Sequence, residues 1–186
     1  DANVLSSPFS GVVSVSIRFD LGTANAAGYI CSGALLDSYH VLTAAHCIDK
    51  NDNGVAMTLN SANDVRVRFN HNNPTNNLAG ATQIAASRVD MNPNYNGFNY
   101  CSDGSTGCLN DDLAIITLSQ AAPTGAARYS IWDQALTSGQ AIVMAGYGTS
   151  GTGLLGHIDG TANFYVKKTA ENRADMFDLD DEQGFA

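Results

Sequence analysis

Short runs of apolar, β-branched residues alternate with clusters of glycine, asparagine, aspartate and serine along most of the chain. Such runs are typical of strands, and the clusters supply the residue types that tight turns require. Helical periodicity is nearly absent, with at most one turn at residues 44–48. Evenly spaced strands joined by turns predict an all-β fold, either an antiparallel barrel or a sandwich. The candidate strands are residues 11–19, 29–36, 39–43, 55–59, 65–69, 82–89, 113–118, 141–145 and 157–168.

Residues 119–139 interrupt this pattern. The segment contains Pro123, several alanines and the lone Trp132, and it lacks the alternation of a strand. A composition of this kind is typical of a connection between two folded units. The asparagine- and glycine-rich residues 70–80 and 92–107 are expected to form surface loops. We therefore expect an N-terminal β-barrel unit at residues 1–120, a connection at 121–138 and a second unit at 139–186.

The charge balance narrows the class of partner. The 186 residues include nine lysines and arginines against eighteen aspartates and glutamates, for a formal net charge of -9. The basic residues are scattered and form no stripe that could neutralise phosphates, which argues against a nucleic acid partner. The chain has no apolar run of roughly 18 residues, so the sequence predicts no membrane span.

The cysteines, at positions 31, 47, 101 and 108, lack the short spacings of zinc ribbons and of thioredoxin-like redox pairs. Disulfides are the better interpretation. Four cysteines allow three pairings, and the pairing that is local in sequence joins Cys31 to Cys47 and Cys101 to Cys108. Disulfides predict an oxidising compartment, so we expect a secreted or otherwise extracytoplasmic protein.

One histidine lies in a context that suits catalysis. The segment LTAAHC at residues 42–47 follows a candidate strand, and CSGAL at residues 31–35 precedes it. A histidine base must be held with one ring nitrogen toward the nucleophile and the other toward an orienting carboxylate. A bridge from Cys31 to Cys47 would tie the residue beside His46 to the preceding strand. The other histidines, which lack such a context, are His40, His71 and His157.

A second segment, NDDLAII at residues 110–116, places acidic residues at the opening of an apolar strand. Both segments resemble the chymotrypsin/trypsin family of serine proteases, which has a Thr-Ala-Ala-His-Cys run and an Asn-Asp-Ile-Ala-Leu-Leu segment. Aligning the apolar run places the orienting carboxylate at Asp112, with Asp111 at the more variable position before it. AGYG at residues 145–148 is similar to the family's Gly-Trp-Gly segment. The glycine-rich residues 149–156, together with residues 167–175, resemble secreted bacterial trypsin-like proteins.

This resemblance implies a double antiparallel β-barrel, of which the first barrel is complete in these residues and the second only partial. It also implies a serine-type endopeptidase that acts on protein or peptide substrates and needs no cofactor. In such an enzyme His46 would be the general base and then the general acid, and Asp112 would orient it.

The family's nucleophile lies in a Gly-Asp-Ser-Gly-Gly motif, which does not occur in the 186 residues. Ser150 is not a substitute, because it follows the Gly-Tyr-Gly segment too closely for the family's nucleophile loop. The backbone N–H groups of the oxyanion hole belong to the same missing motif. We therefore expect these residues alone to be inactive. A non-catalytic, protease-like binding or interaction protein is the alternative.

Residues 49–55, DKNDNGV, satisfy the first part of a calcium-loop pattern. The candidate ligands are Asp49, Asn51, Asn53 and Val55. The twelfth position of the pattern holds Asn60 instead of a bidentate glutamate, and no helix is predicted on either side. The missing glutamate favours a polar turn over a calcium site.

Overall fold

The computed structural model describes residues 7–70, 80–97, 111–152, 154–161 and 165–174. The prediction of an all-β fold is confirmed, because the only helical element in these ranges is a short 3-10 turn at Ala45–Cys47. The strands are β1 Val12–Phe19, β2 Ala27–Leu35, β3 His40–Thr43, β4 Val65–Phe69, β5 Thr82–Met91, β6 Ala114–Leu118, β7 Gln140–Gly146, β8 Gly151–Thr152, β9 Gly156–His157 and β10 Lys168–Ala174. No helix in the described ranges has the length and apolar character needed to cross a bilayer.

Strands β1 to β6 close into an antiparallel barrel in the order β1-β2-β3-β6-β5-β4. Alternate residues of β1 point inward, so Val13, Val15 and Ile17 are fully buried in the barrel core. Ile116 of β6 is fully buried in the same core. Closure gives each of the six strands a neighbouring strand on both sides, so none of them is an edge strand.

The pairing of β3 with β6 determines which residues meet at the end of the barrel. Thr43, the last residue of β3, lies opposite Ala114, the first residue of β6. Because the strands are antiparallel, the chain that leaves β3 and the chain that enters β6 emerge at the same end of the barrel. A register irregularity between Ala86 and Arg88 shifts the pairing of β5 with β6, so that Met91 also lies opposite Ala114.

One predicted strand in the first barrel is wrong. Residues 55–59 belong to no strand and take part in no strand pairing. The backbone N–H of Met57 donates to the carbonyl oxygen of Ile48 at 2.8 Å, outside any sheet. Met57 and Leu59 pack against the core, whereas Val55 is 63% exposed. The apolar pattern therefore marks a segment that packs against the core without pairing with a strand.

The second barrel is only partial in the described residues. Strands β7 and β10 form a two-stranded antiparallel sheet, and β8 and β9 form a two-stranded hairpin. The predicted strand at residues 157–168 is misplaced, because the long strand begins at Lys168 and continues to Ala174. Val143 and Met144 of β7 are about half exposed, at 56% and 48%.

Two contacts tie this second sheet to the first barrel. The backbone N–H of Tyr147 donates to Oγ of Ser32 in β2 at 2.9 Å, and the Tyr147 side chain is buried. Lys167, only 6% exposed, donates from Nζ to the carbonyl oxygen of Phe9 at 2.6 Å. The segment that leads into β1 and the residue before β10 are therefore held together.

Candidate active site

The 3-10 turn after β3 presents His46 at the end of the barrel. Ala45 and Cys47 on either side of it are buried, whereas the His46 side chain is 39% exposed. A disulfide joins Cys47 to Cys31 of β2, so the residue after His46 is covalently attached to a neighbouring strand. The turn thus anchors both neighbours of the histidine and leaves the imidazole at the surface.

Asp112 lies two residues before β6 and meets His46 across the barrel end. Its Oδ1 accepts a hydrogen bond from the backbone N–H of His46 at 2.8 Å. Its Oδ2 lies 2.7 Å from Nδ1 of the imidazole. The contact follows from the pairing of Thr43 with Ala114. His46 comes soon after Thr43 in the chain and Asp112 comes just before Ala114, so the two residues leave the barrel side by side.

These contacts determine which ring nitrogen of the neutral His46 imidazole carries the proton. An ionised carboxylate can only accept hydrogen bonds, so the proton of neutral His46 must be on Nδ1. The lone pair is then on Nε2, at the opposite edge of the ring. Nε2 lies 3.5 Å from Sγ of Cys47, a weakly polar neighbour. The arrangement therefore presents a proton acceptor at Nε2 and an orienting anion behind it.

Tyr95 packs with residues that are close in sequence to His46 and to Asp112. Its side chain is 2% exposed and packs with Ala45, Ile48 and Ala114 in a small apolar cluster. Burial, with smaller contributions from nearby carboxylates that include Asp112, raises the pKa of Tyr95 to about 12. Sequence analysis missed this residue because residues 92–107 have the composition of a surface loop.

The calcium candidate has the hydrogen bonds of a polar turn. Asp49 is 7% exposed, and its carboxylate accepts hydrogen bonds from the backbone N–H groups of Asn51, Asn53 and Gly54 at 2.7 to 3.1 Å. The Oδ1 of Asn53 accepts from the N–H of Val55 at 3.1 Å. These hydrogen bonds are the ones that a polar turn makes within its own backbone.

The remaining site predictions concern cysteines. Cys31 and Cys47 form the disulfide described above, and Cys101 and Cys108 lie outside the described residues. Ligand atoms of Cys31, His46 and Cys47 lie within 4.8 Å of one another. They do not suit a metal, because both sulfurs are bonded to each other and a thiolate is what a metal requires.

Comparison with known families agrees with this geometry. A family model described as Trypsin matches residues 1–173, a range that includes the barrel, the His46–Asp112 pair and most of the second sheet. A search of curated proteins found no match.

Proposed function

Because the chain belongs to the trypsin family, we propose that it is the histidine- and aspartate-bearing part of a serine-type endopeptidase. His46 would be the general base and general acid, and Asp112 would orient it. The observation that carries the proposal is the two-point contact of one carboxylate with both the backbone and the ring of His46. The nucleophile serine and the oxyanion N–H groups would come from sequence outside these 186 residues.

The chemistry follows from the protonation pattern. With Nδ1–H held by Asp112, Nε2 of His46 accepts the hydroxyl proton of the serine as its oxygen attacks the scissile carbonyl. The carboxylate stabilises the imidazolium that results. Nε2 then gives the proton to the leaving amine, which departs as the acyl-enzyme forms. A water molecule repeats the sequence and releases the acid product.

The alternative is a protease-like binding protein, which the lack of a Gly-Asp-Ser-Gly-Gly motif in these residues keeps open. A fluorophosphonate probe separates the two, because it reacts covalently with an activated serine. We expect the complete gene product to be labelled and its His46→Ala variant to remain unlabelled. A properly folded wild-type protein that is not labelled would favour the binding protein.

The same proposal covers the substrates, the cofactor requirement, the location and the domain division of the protein. Substrates would be proteins or peptides, and no cofactor would be needed. The Cys31–Cys47 disulfide supports a location outside the cytosol. The division at residues 121–138 is supported by the end of β6 at Leu118 and the start of β7 at Gln140.

A further inference from the structure

Asp112 is the middle residue of a very tight turn. The backbone N–H of Leu113 donates to the carbonyl oxygen of Asp111 at 2.6 Å, which closes a three-residue turn around Asp112. Asp111 has a φ of 59°, in the left-handed region that aspartate and asparagine enter more readily than other non-glycine residues. The direction in which the Asp112 side chain leaves the backbone therefore depends on an uncommon conformation at its neighbour.

Asn92, which follows β5, contacts the residues on both sides of Asp112. Its backbone N–H donates to the carbonyl oxygen of Leu113 at 2.8 Å, and its Nδ2 donates to Oδ1 of Asp111 at 2.8 Å. The Asn92 side chain thus holds Asp111, while its backbone holds Leu113. The Asp112 carboxylate between them points to His46.

The remaining polar groups of Asn92 keep its own side chain in place. Its Oδ1 accepts from the backbone N–H of Asn94 at 3.1 Å, and its carbonyl oxygen accepts from the N–H of Tyr95, also at 3.1 Å. Because Oδ1 faces a donor, the amide nitrogen must face Asp111. Only an amide of this length both donates and accepts here. An aspartate at position 92 would place a second carboxylate against Asp111 and lose the donor.

We propose that Asn92 and Asp111 form a clamp that positions the Asp112 carboxylate on His46. The inference rests on the proposed function and deepens it, because it assigns two positioning residues that do not touch the imidazole. Tyr95, which packs with Ala45 and Ala114 in the small apolar cluster, is joined to the same clamp through the Asn92 carbonyl. The clamp therefore links the loop after β5, the turn before β6 and the small apolar cluster that contains Tyr95.

The test compares Asn92→Asp with Asn94→Asp in the 186-residue chain. Both variants exchange an amide for a carboxylate, but Asn94 is exposed and uses only its backbone N–H in this network. The readout is the proton NMR signal of Nδ1–H of His46 and its rate of exchange with water. We expect about tenfold faster exchange in Asn92→Asp, the effect of one lost hydrogen bond, and no change in Asn94→Asp.

A double variant separates positioning from general damage. In Asn92→Asp combined with Asp111→Asn, the carboxylate and the amide exchange places, so the hydrogen bond between them can form again. We expect slow exchange of the His46 proton to return. The proposal is overturned if Asn92→Asp leaves the exchange rate unchanged, or if the double variant exchanges as fast as the single one. A wild-type chain that shows no slowly exchanging Nδ1–H signal would instead contradict the hydrogen bond between His46 and Asp112, and with it the proposed function.

Discussion

The Asp112 carboxylate holds His46 at two points, the backbone N–H through Oδ1 at 2.8 Å and the ring Nδ1 through Oδ2 at 2.7 Å. A contact to the ring alone would leave the turn free to shift relative to the carboxylate. Two contacts from one side chain fix both the position of the backbone and the rotation of the ring. The pair is therefore preorganised in this chain before any nucleophile is added.

Replacing Asp112 by asparagine should change the histidine tautomer. In the wild-type chain the carboxylate requires the proton on Nδ1, whereas a carboxamide can present its NH2 group to Nδ1 and move the proton to Nε2. Nitrogen-15 NMR of the imidazole distinguishes these two forms directly. We expect Asp112→Asn to show the Nε2–H form and the control Asp90→Asn, at a partly exposed position of β5, to match the wild type. An unchanged Nδ1–H signal in Asp112→Asn would refute the orienting function of the carboxylate.

Removing the Cys31–Cys47 disulfide should lower the free energy of unfolding. The bridge spans a sequence separation of 16 residues, and a loop of that size is worth about 3 kcal/mol. Urea denaturation of Cys31→Ala/Cys47→Ala measures the loss. The predicted pair Cys101 and Cys108 closes a shorter loop, so removing it should cost less. Equal losses from the two double variants would contradict this account.

Asp49 should stabilise the turn after His46 without calcium. Its buried carboxylate accepts three backbone hydrogen bonds, so Asp49→Ala leaves N–H groups without an acceptor and should cost about 1 to 3 kcal/mol. Asp49→Asn keeps one acceptor oxygen and should cost less. Millimolar calcium should leave the urea midpoint of the wild-type chain unchanged. A midpoint that rises with calcium in the wild type, but not in Asp49→Ala, would establish a metal site.

Stability should rise with pH in the mildly alkaline range because of Lys167. Burial lowers the pKa of this amine from 10.5 to about 8 in the folded chain. Between about pH 8 and pH 10 only the unfolded chain binds the proton, so the free energy of unfolding increases with pH, by up to about 3 kcal/mol. Burial raises the pKa of Tyr147, which opposes the increase only above about pH 10, where an unfolded tyrosine ionises.

Urea titrations across this pH range test the effect. Lys167→Met should abolish the rise, because the residue that titrates is gone. Lys168→Met, one position along in β10, should retain it. A rise of the same size in Lys167→Met would assign the pH dependence to other groups.

The alternation of apolar residues predicted the barrel strands well because each has one face in the core. Residues 55–59 show the limit of this signal, since Met57 and Leu59 pack against the core although their segment pairs with no strand. Strand β10 shows the opposite case, a strand that the apolar pattern does not predict. Its side chains are mostly exposed, and pairing with β7 makes it a strand without an apolar pattern.

Some residues of the site could be predicted from the sequence and others could not. His46 and Asp112 lie in local segments with a family resemblance, so the sequence pointed to both. Asn92 lies in a segment with the composition of a surface loop, and its contacts depend on the pairing of β5 with β6. No local pattern encodes that pairing, so the clamp becomes visible only in three dimensions.

The most direct test of the central claim is the rate at which the complete gene product hydrolyses casein, measured beside its His46→Ala variant. If Nε2 of His46 accepts the proton of the attacking serine, the variant should lose activity by about 10⁴-fold or more while remaining folded. Equal rates of hydrolysis by the two proteins would contradict the claim.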